Sequence, residues 1–463
     1  MSARLDWEIE SEQSSVKQGK EDPLARQLRR RAQFRLFIGV LLVLGCFVGI
    51  YQLVMWRLEQ VNTEIELALT DTVTAEVATL RSADRSAFLN VQRSASEEWA
   101  QVQAITFNSY QELKQNRDVQ LTGSVIAVEI DDTRGRVQVE EIIDGVPYVQ
   151  TWFYWHYLED GDDLDTIPDG WRHVPPDYTF WGQLDTLNGQ GFSIRYQSVD
   201  AAVAQSLADE LTHWLQVGCQ TLICGTLPDI AIEIIPRAGL VTDWSGVNPW
   251  LLQVPSPYVA RARADRPLDL PLKTQIAERI AQRLLSQAST NVQPPAISDA
   301  YYLRTAVQRW LIGEFIQLDT QSYLMGSYFT RYGRDPLNNA LALAAGGGDI
   351  RVLSAAAGLG GIDQLEVDWR DYLQWRLDLE AELLLRRDQT NFLALYDLNL
   401  PNVASLAYTR LEAGQAVTVE SVLSVQSEPQ PDAVSALRAV ILAEGAQQEV
   451  IFRLVDGTWR RAN

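Results

Sequence analysis

Leu36–Trp56 reads LFIGVLLVLGCFVGIYQLVMW, 21 residues without a charge. A bilayer core takes about 20 apolar residues as helix, so this stretch has the length and composition to span one. Gln52 is its one strongly polar side chain. Tyr51 and Trp56 suit the interfacial belt. A core helix of a soluble protein would carry an apolar stripe, whereas this segment is apolar all round. A cleaved signal would have a shorter apolar region and a small-residue site after it; Met55-Trp56-Arg57-Leu58 follows instead. The sequence therefore predicts one retained transmembrane helix, residues 36–56, with the lipid bilayer as its partner. Cys46 within it reads as a small apolar residue.

Flanking charge sets the expected orientation. Arg26, Arg29, Arg30, Arg31 and Arg35 precede the span, and residues 23–35 contain no acid. After it only Arg57 is basic before Arg81. The positive-inside rule puts the N-terminus in the cytoplasm and the chain after residue 57 outside, at a cell membrane. Residues 1–35 hold 8 basic and 6 acidic residues, and the rest of the chain holds 31 against 54. The outer part is thus an acidic ectodomain, which disfavours anionic lipid headgroups.

The chain has 463 residues and a formal charge of −21, with 46% hydrophobic and 21% charged residues. That is room for about three folded domains. Neutralising phosphates needs a basic face, so this charge balance argues against nucleic acid as a partner. Three Cys and three His exclude a disulfide-dense scaffold and leave little for a metal site, so no cofactor is expected. Cys219 and Cys224, in Gly-Cys-Gln-Thr-Leu-Ile-Cys-Gly, read either as a short-loop disulfide in an oxidising exterior or as two buried thiols. Four Lys against 35 Arg fits a GC-rich bacterial genome.

Residues 58–118 repeat apolar positions at three- and four-residue steps, the pattern of helix. Val119–Ile130, Arg136–Ile143 and Tyr148–Tyr157 alternate as strands, with a turn at 131–135 and a hairpin signal at Asp144-Gly145. The C-terminal part repeats this order. Leu377–Leu398 reads as a helix, then Val417–Val425, Ala433–Ala443 and Glu449–Leu454 as strands, with a turn at Asp456-Gly457. Local words recur as well. Asp84-Arg85-Ser86-Ala87-Phe88-Leu89 matches Asp388-Gln389-Thr390-Asn391-Phe392-Leu393, and Trp171-Arg172 matches Trp459-Arg460. The chain thus reads as a duplicated module around an insertion. Both modules resemble the nuclear-transport-factor-like, ketosteroid-isomerase-like α+β cone, over residues 70–182 and 378–463. The resemblance implies an apolar pocket, and, in an enzyme, an acid within it. Asp84 and Asp388 are the candidate acids, with helix capping as the alternative. The acidic run 159–165 (EDGDDLD) lacks the spacing and terminal Glu of an EF-hand loop and reads as a solvated loop.

Residues 190–375 carry a second resemblance. A strand at Phe192–Tyr196, a helix at Val199–Val217, a strand at Ile230–Pro236 and a helix at Leu272–Gln287 come first. Helices at Ala300–Leu318 and Gln321–Tyr332 follow, then Tyr332-Gly333-Arg334-Asp335-Pro336-Leu337, a Gly-rich turn, and Glu366–Leu373 (EVDWRDYL). This order is similar to the peptidase MA-like gluzincins. The resemblance implies H-E-x-x-H on a helix, two His for zinc and a Glu for its water, with a Glu from a later helix. Against that motif, Gln275–Leu285 places Ala277 and Ala281 at both His positions and keeps Glu278. The later W-L-x-E appears as Trp310-Leu311-Ile312-Gly313-Glu314, its Glu displaced by one. Alanine binds no zinc, so the resemblance implies an inactive domain whose cleft lies around Glu278 and Trp310. A rival metal motif is Asp209-Glu210-Leu211-Thr212-His213, with Asp209 and His213 on one helix face. Its alternative is an exposed acidic pair beside a half-buried His213. His156 and His173 read as structural or exposed, and no G-x-S-x-G occurs.

The expected architecture is an α+β multidomain ectodomain on a single N-terminal transmembrane helix, a central degenerate zincin-like domain lying between two α+β cone domains. Its parts are a tail 1–35, the span 36–56, a juxtamembrane helix or linker 57–70, cones 71–185 and 378–463, and the peptidase-like domain 190–376. The expected function is binding or scaffolding of an extracytoplasmic peptide, protein or glycan. The alternatives are a diverged metallopeptidase using Asp209, Glu210 and His213, and a hydrolase or isomerase working in a cone pocket.

Overall fold

A computed structural model describes residues 23–93, 96–157, 170–222, 226–288, 294–318, 322–345, 348–428 and 434–463. The acidic run 159–165 and Cys224 lie outside them. The chain divides into two compact units, residues 1–75 with 156–171 and residues 76–155 with 172–463.

The first unit holds most of helix α1 (Pro23–Ser82). It is the one helix among the described residues long and apolar enough to cross a membrane. An 18-residue window of it reaches mean hydropathy 2.4 with no residue buried. Sequence and structure thus agree on a helix compatible with a single membrane anchor. The segment 57–70 is continuous α-helix, part of α1.

The second unit begins with the end of α1, then α2 (Arg85–Val91) and α3 (Glu97–Asn116). These precede an antiparallel sheet of β1 (Val119–Asp131), β2 (Arg134–Ile143) and β3 (Val146–Tyr157), with β4 (Gly170–Val174) paired to β3. Asp132, Asp144 and Gly145 sit at φ 56°, 49° and 76°, the left-handed values that two-residue hairpin turns require. β1 shifts register against β2 between Leu121 and Ala127. Gly123 lies in that irregularity at φ 70°, where a Cβ would come within 3.2 Å of Val77 Cγ1. The bulge lets the strand bend closely over the helix end.

Next come β5 (Leu184–Gly189), β6 (Phe192–Gln197), α4 (Ala201–Leu222), β7 (Ile230–Ile235), β8 (Asp243–Trp244) and β9 (Leu251–Pro255). They form a sheet of order β5-β6-β7-β9-β8, parallel at its centre and antiparallel at both edges. β10 (Ala262–Arg263) joins the other sheet instead, pairing with β3. Helices α5 (Leu270–Ala288), α6 (Asp299–Ile316), α7 (Tyr323–Tyr332), α8 (Arg334–Ala345) and α9 (Val352–Ala356) complete this part. Trp214 of α4 stacks on Phe315 of α6 at 5.7 Å and donates its indole N–H to the Phe315 carbonyl at 2.9 Å.

The chain ends with α10 (Arg370–Arg386), α11 (Gln389–Ala394), α12 (Pro401–Ala413) and a meander of β11 (Val419–Glu428), β12 (Ala436–Ala443), β13 (Ala446–Val455) and β14 (Thr458–Arg461). The expected single helix Leu377–Leu398 is in fact broken. Arg387 adopts φ 57° and Asp388 caps α11. The first module breaks in the same way, with Ala83 at φ 59° and Asp84 capping α2. Helix order, break and meander therefore repeat between the two α+β modules.

Candidate functional site

The breaks settle where the candidate acids lie. Asp84 Oδ1 accepts from the Ala87 amide at 3.0 Å, and Asp388 Oδ1 from the Asn391 amide at 3.2 Å. Both carboxylates satisfy helix N-termini and neither lines a cavity described below. The bond from Asn391 holds the Asp388 carboxyl below its usual range.

Eight residues before each capping Asp lies a buried glutamate, Glu76 and Glu380. Glu76 is 1% exposed. Its Oε1 lies 2.7 Å from His173 Nδ1 and accepts from Gln92 Nε2 at 2.7 Å; its Oε2 accepts from Tyr154 Oη at 2.8 Å. Burial first, then the Glu76 charge, pushes the Tyr154 phenol well above its ordinary range. Tyr154 therefore stays a donor to this carboxylate. The His173 ring sits among Tyr154, Trp152 and Trp99, with centroids 5.0, 5.4 and 5.5 Å away.

These groups form part of the wall of a cavity of about 530 Å³ between α3 and the sheet. Leu80, Phe88, Leu121, Trp99, Trp152 and Tyr110 supply apolar surface, and Thr106 and Ser109 are exposed residues on its border. An ion pair stands at a second wall. Glu141 of β2 is also 1% exposed; its Oε2 accepts from Gln150 at 2.9 Å and pairs with Arg261 at 2.7 Å. Burial raises the Glu141 carboxyl, and Arg261 and Gln150 pull it back in part. Burial and Glu141 together raise the Tyr110 phenol. Arg261 reaches this wall because β10, next to it in sequence, pairs with β3.

The second module fills the corresponding place differently. Glu380 accepts two bonds from Arg461 Nη1, at 3.0 and 3.1 Å, and pairs with Arg410 at 2.7 Å. The correspondence is direct. Trp171-Arg172-His173 stands where Trp459-Arg460-Arg461 stands, and the isolated parallel bridges Gln92–His173 and Tyr396–Arg461 match. One buried glutamate is clamped by two guanidinium groups, the other by neutral donors and an imidazole. A doubly paired carboxylate is a structural solution; the Glu76 arrangement leaves an imidazole on a cavity wall.

The structure places the gluzincin-like positions on α5 and α6. Ala277 and Ala281 are fully buried in the core, Glu278 and Glu314 are exposed, and Trp310 is buried against Phe329 at 5.3 Å. Asp209 is exposed, Glu210 pairs with Lys273 at 2.5 Å, and His213 is half-buried. No group of three His, Cys, Asp or Glu able to hold a metal ion occurs among the described residues. Cys219 is disulfide-bonded and Cys46 is free and exposed. His156 meets the edge of Trp171 at 5.0 Å. Of the orienting arginines, Arg29 and Arg31 are exposed on α1, and the backbone of Arg26, Arg30 and Arg35 is helical.

The sequence reading does not single out Glu76, Tyr154, Glu141 or Arg261, and reads His173 as structural or exposed. A signal was present: extending the matched words by eight residues pairs Glu76 with Glu380, and extending Trp-Arg by one pairs His173 with Arg461. No family model, no curated protein and no solved structure matches the chain.

Proposed function

We propose that this chain is a membrane-anchored extracytoplasmic binding protein whose ligand occupies the cavity of the first α+β module. One observation carries the reading. The same framework position is sealed by two arginines on Glu380 in one module, and opens onto about 530 Å³ of apolar-walled space at Glu76 in the other. That volume lies in the range of small-molecule sites, and a few buried polar groups among aromatic walls are what such sites use for orientation. The middle part, with alanine at both zinc-ligand positions of the motif it resembles, serves here as a scaffold that contributes Arg261. The arginines before the span favour an outside placement for the cavity.

The test uses the full chain in lipid nanodiscs and three phenylethyl-sized probes, an amine, an alcohol and a carboxylate. Quenching of tryptophan fluorescence reports binding, since Trp99 and Trp152 line the cavity. At least one probe binds the wild type saturably, and Ser109→Trp abolishes that binding by blocking an exposed border position. Failure of all three probes, or binding unchanged in Ser109→Trp, overturns the reading.

A second reading rests on a separate groove of about 1120 Å³ along β11, lined by residues 423–428 of that edge strand and by 363–370. An extended peptide would add a strand there. An exposed edge of this kind fits a peptide partner better than the buried positions around Trp310 do.

A further inference from the structure

The cavity of the first module carries an unbalanced charge. We infer that its ligand is a small organic monocation, an ammonium group on an apolar body. This rests on the binding reading above and names its ligand class.

Four side chains with charge to contribute line the cavity: Glu76, Glu141, Arg261 and His173. Glu141 and Arg261 neutralise each other at 2.7 Å. Glu76 receives bonds from Gln92 and Tyr154, which lend dipoles but no charge. With His173 neutral, the wall holds two carboxylates against one guanidinium, a net charge of minus one. A buried carboxylate without a countercharge is costly, and the environment answers by bringing a cation or a proton. The second module brings cations of its own, Arg461 and Arg410. The first carries His173, an imidazole, where the second carries Arg461, so no guanidinium among the described residues reaches Glu76. The ligand's ammonium supplies that countercharge.

The walls agree with that sign. Trp99, Trp152 and Tyr110 line the same space, and the faces of such rings attract cations, most strongly where water is excluded. A carboxylate ligand would add a second uncompensated negative charge. A neutral ligand would gain the apolar contact but bring no charge to Glu76. Groups facing His173 are Glu76 from α1, Tyr154 and Trp152 from β3 and Trp99 from α3, with Gln92 alongside. Among these described groups none is a guanidinium or an ammonium.

The experiment compares the phenylethyl amine, alcohol and carboxylate on the full chain in nanodiscs. The amine binds at least about tenfold more tightly than the alcohol, and the carboxylate not measurably. Two substitutions move the charge in opposite directions. Glu76→Gln removes the net negative charge and brings the amine down to the affinity of the alcohol. Arg261→Gln removes the guanidinium that neutralises Glu141 and widens the preference for the amine. Alcohol binding serves as the check that each variant keeps its cavity. An alcohol or carboxylate that matches the amine on wild type, with binding still lost in Ser109→Trp, overturns the charge inference and leaves the cavity reading standing. An amine preference unmoved by both Glu76→Gln and Arg261→Gln overturns it as well. Absence of any binding removes the reading beneath it.

Discussion

Asp200 shows how burial alone sets a titration in this chain. Its carboxylate is fully enclosed and accepts from Trp181 Nε1 at 2.9 Å and from Ser256 Oγ. Burial outweighs those bonds and the charge of Arg136, and the carboxyl is pushed up from 3.8 to about 6. The folded state therefore binds more protons than the unfolded chain between those values. Stability falls as pH rises through that window, by up to about 3 kcal/mol at 1.36 kcal/mol per unit. Asparagine keeps an acceptor and has no charge to desolvate. Asp200→Asn is expected to gain on the wild type by about that amount from pH 4 to pH 7, read by denaturant unfolding at each pH. A difference that stays constant with pH would mean the carboxyl titrates normally. Ala281 makes the converse point about a position read from a motif. It is fully buried, so Ala281→His forces an imidazole into a filled core. The expected result is a loss of about 2–4 kcal/mol and no bound zinc. Metal analysis of Ala277→His with Ala281→His decides the matter: one equivalent of zinc would restore a peptidase-like cleft.

Helices and hairpins repeat their local chemistry in both α+β modules, so each break is testable twice. Asp84→Ala and Asp388→Ala each remove the side-chain acceptor of a helix N-terminus, and each is expected to cost about 1 kcal/mol. Loss of ligand binding at normal stability in Asp84→Ala would instead make Asp84 a site residue. The repeated words D-x-x-x-F-L and Trp-Arg were legible because they encode local geometry, a cap with its Phe anchor and a last-strand Trp. Hairpin turns were legible for the same reason, since Asp144-Gly145 and Asp456-Gly457 bring the positive φ the turn needs. The break at Arg387 was not, because no Gly or Pro marks it and Leu377–Leu398 keeps helical spacing throughout. The site was hidden for a different reason. Glu76 sits in a helix rich in Glu, and besides burial only the offset from the capping Asp that it shares with Glu380 distinguishes it from Glu64 or Glu66. Arg261 meets Glu141 across 120 residues of chain, by a two-residue strand that no alternation pattern announces.

Charge is divided unevenly along the whole chain, and that division bears on where the cavity works. Five arginines lie within residues 23–35, directly before an apolar helix segment, while the residues after 35 carry 31 basic against 54 acidic side chains. Retention of the arginine cluster on the cytoplasmic side is the strongest sequence determinant of orientation for such a segment. It would deliver the acidic part of the chain, and with it the proposed cation site, to the outer face. Added protease in intact cells is therefore expected to digest the chain after residue 57 and spare the N-terminal tail. Replacing Arg26, Arg29, Arg30, Arg31 and Arg35 with Gln should convert a measurable fraction to the opposite topology, seen as protease-resistant ectodomain. Full protection of the wild-type ectodomain until the cells are lysed would place the cavity in the cytoplasm. The ligand would then be sought among cytoplasmic amines, with the charge argument at Glu76 unchanged.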